Sequence, residues 1–239
     1  YSHTMAEAIT TSGQLSIRWI EKKINQYMNN LLKTKDKDYV IASDTDSVYI
    51  TFDALINKLK PNKPVDFLDK IAKEKIEPFI DKSYQELAEY LNAYEQKMQM
   101  KREVIADKGI WTAKKRYILN AHDIEGVRYK EPTLKIMGIE AVKSSTPAPC
   151  RKKIKEALKI MMSGNEKELN TFIQNFRDEF LTLQPEEIAY PRSVNGLTKW
   201  SETHTLFKKG APIHVKGGIL YNHLVKKNKL SRYLSLIHI

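Results

Sequence analysis

The sequence predicts an α+β chain: helices and short strands mixed in its first part, mostly helices after a boundary near residues 140–148. Three observations lead there. A stretch near the N-terminus carries apolar residues at helical spacing. Two β-branched and aromatic runs flank a polar Ser-Asp-Thr-Asp-Ser turn. Beyond Ser144-Ser145-Thr146-Pro147, strand patterns give way to two helical ones.

Taken in order, Ile17, Ile20, Ile24, Tyr27, Met28 and Leu31 fall on one helical face and predict a long amphipathic helix, with Thr10, Thr11 and Ser12 as candidate caps. Residues 33–38 form a polar break. Residues 39–42 predict a strand, 43–47 a turn and 48–52 the returning strand of a hairpin. Residues 65–96 predict two helices meeting near Glu77-Pro78, where proline suits a first turn. Met98, Met100, Arg102 and Val104 share one side of an expected strand, and residues 110–120 predict another. Glu125-Gly126 is a turn candidate before a strand over 127–129, and residues 133–140 read as extended. Two helices are expected over 149–162 and 166–182, separated by Ser163-Gly164-Asn165. From Gln184 onward, Pro185, Pro191, Gly196, Gly210, Pro212, Gly217 and Gly218 predict loops. There is no internal repeat. Residues 234–239 (Leu-Ser-Leu-Ile-His-Ile) read as one frame of a sequencing-library transposon end; they are taken as a non-native tail and excluded from fold reasoning.

With 239 residues and 41% hydrophobic content, the chain can bury a core in one large or two modest domains. No apolar run approaches the ~20 residues of a membrane helix. The chain opens on Tyr1-Ser2-His3, with no initiator Met and no charged-then-apolar leader, so a piece of a longer protein is expected. A single cysteine, Cys150, excludes an intramolecular disulfide and fits a reducing compartment. The formal net charge is +11 and unevenly placed. Residues 101–155 hold 14 Lys/Arg against 6 Asp/Glu, a net of +8, and residues 199–233 hold 8 against 1, a net of +7. A basic second half joined to a neutral-to-acidic first half points to a polyanion such as nucleic acid, or to a solvated basic surface.

Three groups carry candidate chemistry. Asp44-Thr45-Asp46 places two carboxylates at a hairpin tip, where they could hold magnesium against a triphosphate. The same pattern also caps backbone N–H groups in ordinary turns and occurs in nucleotide-sugar glycosyltransferases. Lys114-Lys115-Arg116-Tyr117 is expected inside a strand, with Lys115 and Tyr117 on one face and Lys114 and Arg116 on the other; one face could meet a duplex, or the lysines could protect a sheet edge. Glu103, in Lys101-Arg102-Glu103, reads without context as a surface or ion-paired glutamate.

In this order the groups resemble family B DNA polymerases. The run Asp44-Thr45-Asp46-Ser47 resembles the family's Tyr-Gly-Asp-Thr-Asp-Ser motif, and Lys114-Lys115-Arg116-Tyr117 its Lys-Lys-Arg-Tyr motif. Ala8-Ile9-Thr10-Thr11 with Gly13-Gln14, Trp19-Ile20-Glu21, residues 65–70, Leu134-Lys135-Ile136-Met137-Gly138 and Lys143-Ser144-Ser145-Thr146-Pro147 are similar to the replicative polymerases of T-even-type tailed bacteriophages. The resemblance runs from about residue 6 to about residue 225. Where the family has Tyr-Gly before the first Asp, this chain has Ala42-Ser43, and a serine is less free than glycine at positive φ.

The resemblance implies an antiparallel-sheet palm backed by helices over residues 1–142, preceded by the end of the fingers helix region, and a partial, mainly helical thumb over 143–233. It implies template-directed nucleotidyl transfer from dNTPs to a primer with two magnesium ions. Asp46 would be a direct metal ligand, Asp44 would support it, and Glu103 would be a further catalytic carboxylate. Lys114, Lys115, Arg116, Tyr117, Lys135, Lys143, Ser144, Ser145 and Thr146 would contact primer–template DNA, with Lys208, Lys209, Lys216, Lys226 and Lys227 on duplex phosphates. The second metal-binding Asp, the triphosphate-gripping helix and the exonuclease would precede Tyr1, and a sliding-clamp tail would follow residue 239. The chain alone would then be inactive, and the intact protein would act in the cytoplasm of a bacterial host. The alternative from charge alone is a non-catalytic DNA-binding module.

Overall fold

The computed structural model describes residues 2–194, 196–229 and 237–238. They divide into two compact units, residues 1–135 and 136–239. The first unit opens on α1 (His3–Leu32), capped by the Ser2 hydroxyl, which accepts from the Met5 N–H, and ended by Lys33 in the left-handed region. Ile20, Ile24 and Met28, spaced by four, are fully buried, as the apolar spacing requires; Leu31, on the edge of the stripe, is exposed.

The expected hairpin is β1 (Val40–Asp44) and β2 (Ser47–Ile50), paired antiparallel, with an irregularity between Val40 and Ala42. Asn25 of α1 holds its root: the amide oxygen accepts from the N–H groups of Tyr39 (2.7 Å) and Val40 (3.0 Å). Next come α2 (Asp53–Leu59) and then α3 (Pro64–Ile71), a π-helical turn (Ala72–Ile76) and α4 (Glu77–Tyr90) in one run. The proline expected between two helices therefore follows a π turn that keeps the run continuous. Ile20, Ile24, Met28, Tyr39, Val40, Ile76, Ile80, Tyr84 and Leu87 form the core, with Val48 and Ile50 of β2 packed against it. Burial of these side chains is the main local driving force, at roughly 1.5–3 kcal/mol for each large one.

Three strands follow in the order β3 (Val104–Ala113), β4 (Arg116–Ile124) and β5 (Val127–Met137). Two expectations change here. Residues 98–103 are not a strand; β3 begins at Val104. Residues 110–120 are not one strand but two, reversing at Lys114-Lys115, with Lys115 at φ 61°. No Gly, Asn or Asp marks that reversal, so the run reads as continuous until the pairing of Trp111 with Tyr117 and of Ala113 with Arg116 closes it.

In the second unit, α5 (Ala148–Ser163) and α6 (Glu166–Phe180) match the two expected helices, with Asn165 capping α6 by accepting from the Glu168 N–H at 3.0 Å. Lys153 lies over the rings of Phe172 and Phe176 and pairs with Glu179 at 2.6 Å. Beyond come the short α7 (Pro185–Ile188), β6 (Ser193–Val194), α8 (Leu197–Trp200), β7 (Ser201–Glu202) and β8 (Leu206–Phe207). The expected loops then give way to α9 (Ile213–Lys227), which contains Gly217 and Gly218. Burial of Val215, Gly218, Ile219, Asn222 and Val225 on one helical face, with Val215 and Ile219 against Leu197, Trp200, Leu206 and Phe207, overrides the glycine penalty of about 1 kcal/mol each. Of the suspected tail, Ile237 and His238 form β9 (Ile237–His238), paired with β6; residues 234–236 and 239 lie outside the described residues.

Candidate functional site

The β1–β2 turn is a two-residue reversal, with Asp44 paired to Ser47 and Thr45 at φ 49°. A β-branched residue in that region is strained. Local bonds hold it: the Asp46 N–H and the Ser47 hydroxyl both donate to the Asp44 carbonyl, at 2.6 and 3.1 Å, and the Thr45 hydroxyl donates to Asp44 Oδ1 at 3.0 Å. Ser43, where the resemblance expected glycine, is a paired strand residue opposite Val48 and is not at positive φ, so a side chain fits there. Asp44 is half-buried and Asp46 exposed. Among the described residues neither carboxylate pairs with a lysine or arginine. The turn therefore presents two uncompensated carboxylates to solvent.

Alternation along β2 sends Val48 and Ile50 to the helical core and Ser47 and Tyr49 to the opposite face. There the Tyr49 ring meets Trp111 edge-on (centroids 5.2 Å apart) and Tyr117 edge-on (5.4 Å). Trp111 and Tyr117 are cross-strand partners on β3 and β4. Burial, reinforced by a hydrogen bond with Tyr117, pushes the Tyr49 hydroxyl well above the ordinary phenol range; Ser47 and the charge of Lys135 oppose this. Lys114 and Lys115 form the exposed β3–β4 turn, Arg116 is half-buried, and Tyr117 is 8% exposed.

Glu103, just before β3, has its carboxylate ion-paired with Lys135 of β5, and its backbone carbonyl accepts from the Glu125 N–H at 2.6 Å. Among the described residues no three or more of His, Cys, Asp and Glu are grouped to hold a metal ion. The structure thus brings Asp44 and Asp46 together at one turn and joins Glu103 to Lys135, without gathering all three carboxylates.

No protein-family model matches the chain. Among curated proteins, it is 41% identical over 242 residues to the DNA-directed DNA polymerase of Escherichia phage RB69, covering 95% of this chain and 27% of that protein. It is 37% identical over 239 residues to the DNA-directed DNA polymerase of Enterobacteria phage T4, covering 94% of this chain and 26% of that one. The chain is homologous to phage DNA-directed DNA polymerases. It spans about a quarter of the length of these curated relatives.

The resemblance to phage DNA polymerases is borne out by these relatives. Of the further candidate DNA contacts in this polymerase homologue, Lys135 closes the first unit. Lys143, Ser144 and Ser145 are exposed in the second, whereas Thr146 is buried, its N–H donating to the Lys143 carbonyl at 3.1 Å. Lys143 also pairs with Glu140 at 3.0 Å. No helix among the described residues is long and apolar enough to cross a membrane. Sequence reasoning missed Tyr49 and Trp111. The available signal was the run of β-branched and aromatic residues after the turn, which marks a strand without saying what its outer face meets.

Proposed function

We propose that this chain is the part of a family B DNA polymerase carrying the Asp-Thr-Asp turn of the palm and the beginning of a helical thumb, with palm over residues 1–142 and thumb over 143–233. The observation that supports it best is the uncompensated pair Asp44 and Asp46, on a hairpin whose outer face packs, through Tyr49, on the strand that begins in Lys-Lys-Arg-Tyr. The names of the relatives point the same way.

The donor chemistry fits magnesium: both groups are carboxylates, the hard oxygen ligands it takes, and both reach solvent. Asp46, with Asp44 beside it, would hold the metal, which when bound supplies activation of the primer hydroxyl and neutralisation of phosphate charge. The remaining ligands, the dNTP-gripping groups and any sliding-clamp tail would come from parts of the polymerase that this chain does not span. Thr45 and Ser47 keep the turn closed, so the backbone that carries the two carboxylates is set before substrate arrives. Glu103, ion-paired with Lys135, would be a further catalytic carboxylate on the strength of its motif order, since its carboxylate is not gathered with those of Asp44 and Asp46. Lys114, Lys115, Arg116, Lys135 and the exposed segment Lys143 to Ser145 bind primer–template, with Tyr117 and Thr146 buried beside them. Sequence-tolerant contacts suit a copying enzyme, because the minor groove offers a degenerate pattern. The intact protein acts in the cytoplasm of an infected bacterium.

Primer extension tests this. With magnesium and dNTPs, the chain alone extends no primer, the intact polymerase does, and Asp46→Asn in the intact protein lowers the rate by on the order of 10²–10³-fold or more. Extension by the bare chain, or wild-type rates from the Asp46→Asn protein, overturns the assignment. Affinity for duplex DNA should fall with salt at a log–log slope of about 0.9 per phosphate contact, and a flat response argues against the basic segments as the binding surface.

A further inference from the structure

The Asp-Thr-Asp hairpin and the Lys-Lys-Arg-Tyr strand belong to different sheets. Among the described residues β1 and β2 pair only with each other, and β3, β4 and β5 form a second sheet. No backbone pairing sets the distance between the two turns, so packed side chains set it. The side chains that meet are rings. Tyr49 of β2 meets Trp111 and Tyr117 edge-on, and those two lie tilted at 33° with centroids 6.5 Å apart. Asp46 is three residues before Tyr49, and Lys114 is three residues after Trp111. Trp111–Tyr117 is also the last regular pair before the register shifts between Trp111 and Ala113 and the chain turns. Such an irregularity re-aims a strand end, so the Lys-Lys turn is carried outward from that pair.

The indole has little play. Gly109 pairs with Leu119 two residues back along the ladder from Trp111 and Tyr117, on the same face of the sheet. A Cβ at Gly109 would come within 2.7 Å of the outer edge of the indole and 2.9 Å of Leu119. The first of these is about 1 Å short of ordinary carbon–carbon contact. The bicyclic ring thus lies over bare β3 backbone and reaches Tyr49 on the hairpin. Its Nε1–H is buried and, among the described residues, has no hydrogen-bond partner. A phenylalanine would avoid that desolvation cost but would not reach as far. Reach, rather than hydrogen bonding, is what the tryptophan supplies. Val48 and Ile50, on either side of Tyr49, are anchored in the helical core, so the ring it meets is also held.

We propose that Trp111 is a positioning residue: seated on Gly109, its indole sets where the primer-contacting Lys114-Lys115-Arg116 turn stands relative to the carboxylates of Asp44 and Asp46. The proposal rests on the polymerase reading above. Trp111 touches neither primer nor metal in this scheme; it acts through Tyr49 and Tyr117. A primer end displaced by about 1 Å from the metal-binding turn reacts more slowly even when the DNA is bound as tightly.

The test uses the intact polymerase with Gly109→Ala, Trp111→Phe and the double variant. Single-turnover extension at saturating DNA, primer–template Kd and thermal midpoint are measured for each. Gly109→Ala pushes the indole off its seat and should slow extension by about 10-fold or more, since 1 Å of misplacement can cost about 100-fold. Its DNA Kd should change less than about twofold, a kinetic loss without a binding loss being the mark of positioning. Trp111→Phe withdraws the ring edge that the new methyl strikes. The double variant should therefore extend about threefold or more faster than Gly109→Ala alone, the coupling expected of residues in contact. Wild-type extension by Gly109→Ala overturns the proposal, as does a double variant no faster than Gly109→Ala, or a loss matched by weaker DNA binding. Where the midpoint falls, rates normalised to active sites by burst amplitude decide: a loss that vanishes on normalisation overturns it. Should Gly109→Ala not fold, Trp111→Leu, which removes the ring, is read in the same way: slower extension at unchanged Kd supports the proposal and a wild-type rate overturns it. Failure of the wild-type intact protein to extend primers, or activity in Asp46→Asn, sinks the polymerase reading instead, so the two failures are distinguishable.

Discussion

Two groups of carboxylates in the first unit differ in what neutralises them. Asp123 of β4 is 1% exposed; Arg102 and Arg128 both pair with it, Arg128 Nε at 3.1 Å, and its Oδ1 accepts the Gly126 N–H at 3.0 Å. Asp69 of α3 pairs with Arg102 at 2.6 Å and Lys73 at 3.0 Å, Asp66 pairs with Arg128 at 3.0 Å, and Glu77 accepts the Arg102 N–H at 2.9 Å. The network ties α3, the π turn and the start of α4 to the three-stranded sheet. Asp44 and Asp46 instead stand at a tip with backbone and hydroxyl partners and no cation among the described residues. The sequence alphabet is the same in both places. Carboxylates already consumed by guanidinium groups build the fold, while those left uncompensated are available to a metal ion.

The largest expected effect that would break this contrast is on stability. Asp123→Asn leaves two guanidinium groups short of a buried partner and should destabilise the intact protein by roughly 3–5 kcal/mol, whereas Asp46→Asn should stay within about 0.5 kcal/mol. Chemical denaturation of both reads the difference, and equal losses would erase the distinction. Glu103 sharpens the comparison because it belongs partly to each class, being exposed yet paired with Lys135. As a catalytic carboxylate its change to Gln should slow extension by about 10-fold, a smaller loss than at Asp46. Unchanged extension with altered DNA affinity would move Glu103 to the structural class.

Acid should weaken the paired network through Asp69. The Asp69 carboxyl is held below its ordinary 3.8 by the Lys73 hydrogen bond and then by Arg102, against the opposing effect of burial. A folded value below the unfolded one stabilises above the unfolded value, and that stabilisation is lost as pH falls through the folded value. Asp69→Asn should therefore flatten the acid limb of a stability-against-pH profile below about pH 4; an unchanged limb would show that Asp69 does not carry this linkage. The smallest effect concerns Thr45 at φ 49°. Thr45→Asn, a residue that tolerates the left-handed region, should stabilise the hairpin by up to about 1 kcal/mol, read as a small rise in thermal midpoint. A fall would show that the Thr45–Asp44 hydrogen bond outweighs the strain.

The elements legible in the sequence were those whose own residues carry a period or a cap. The stripe of Ile20, Ile24 and Met28, the strands around Asp-Thr-Asp, and the helices after Pro147 and Asn165 are where the residue pattern places them. The less legible elements depend on partners distant in the chain. Lys114-Lys115 reverses the chain because Trp111 pairs with Tyr117, and α9 runs through Gly217-Gly218 because Val215 and Ile219 are buried against earlier segments. Residues 98–103 satisfy a strand pattern but are not paired as one; β3 starts at Val104.

By itself, then, the sequence determined the α+β character, the hairpin that projects Asp44 and Asp46, and, through short ordered motifs, the resemblance to DNA polymerases that the phage relatives bear out. Such motifs are local: the residues that make the turn also make the site, so reading them needs no knowledge of the rest of the chain. Only the tertiary structure decided that Glu103 meets Lys135, that Arg102 is consumed by Asp69 and Asp123, and that the Tyr49 ring meets those of Trp111 and Tyr117. The physical reason is separation along the chain. Glu103 and Lys135 are 32 residues apart. A charge or hydroxyl does not reveal in sequence which partner will neutralise it, because that choice belongs to the packing that brings distant strands and helices together.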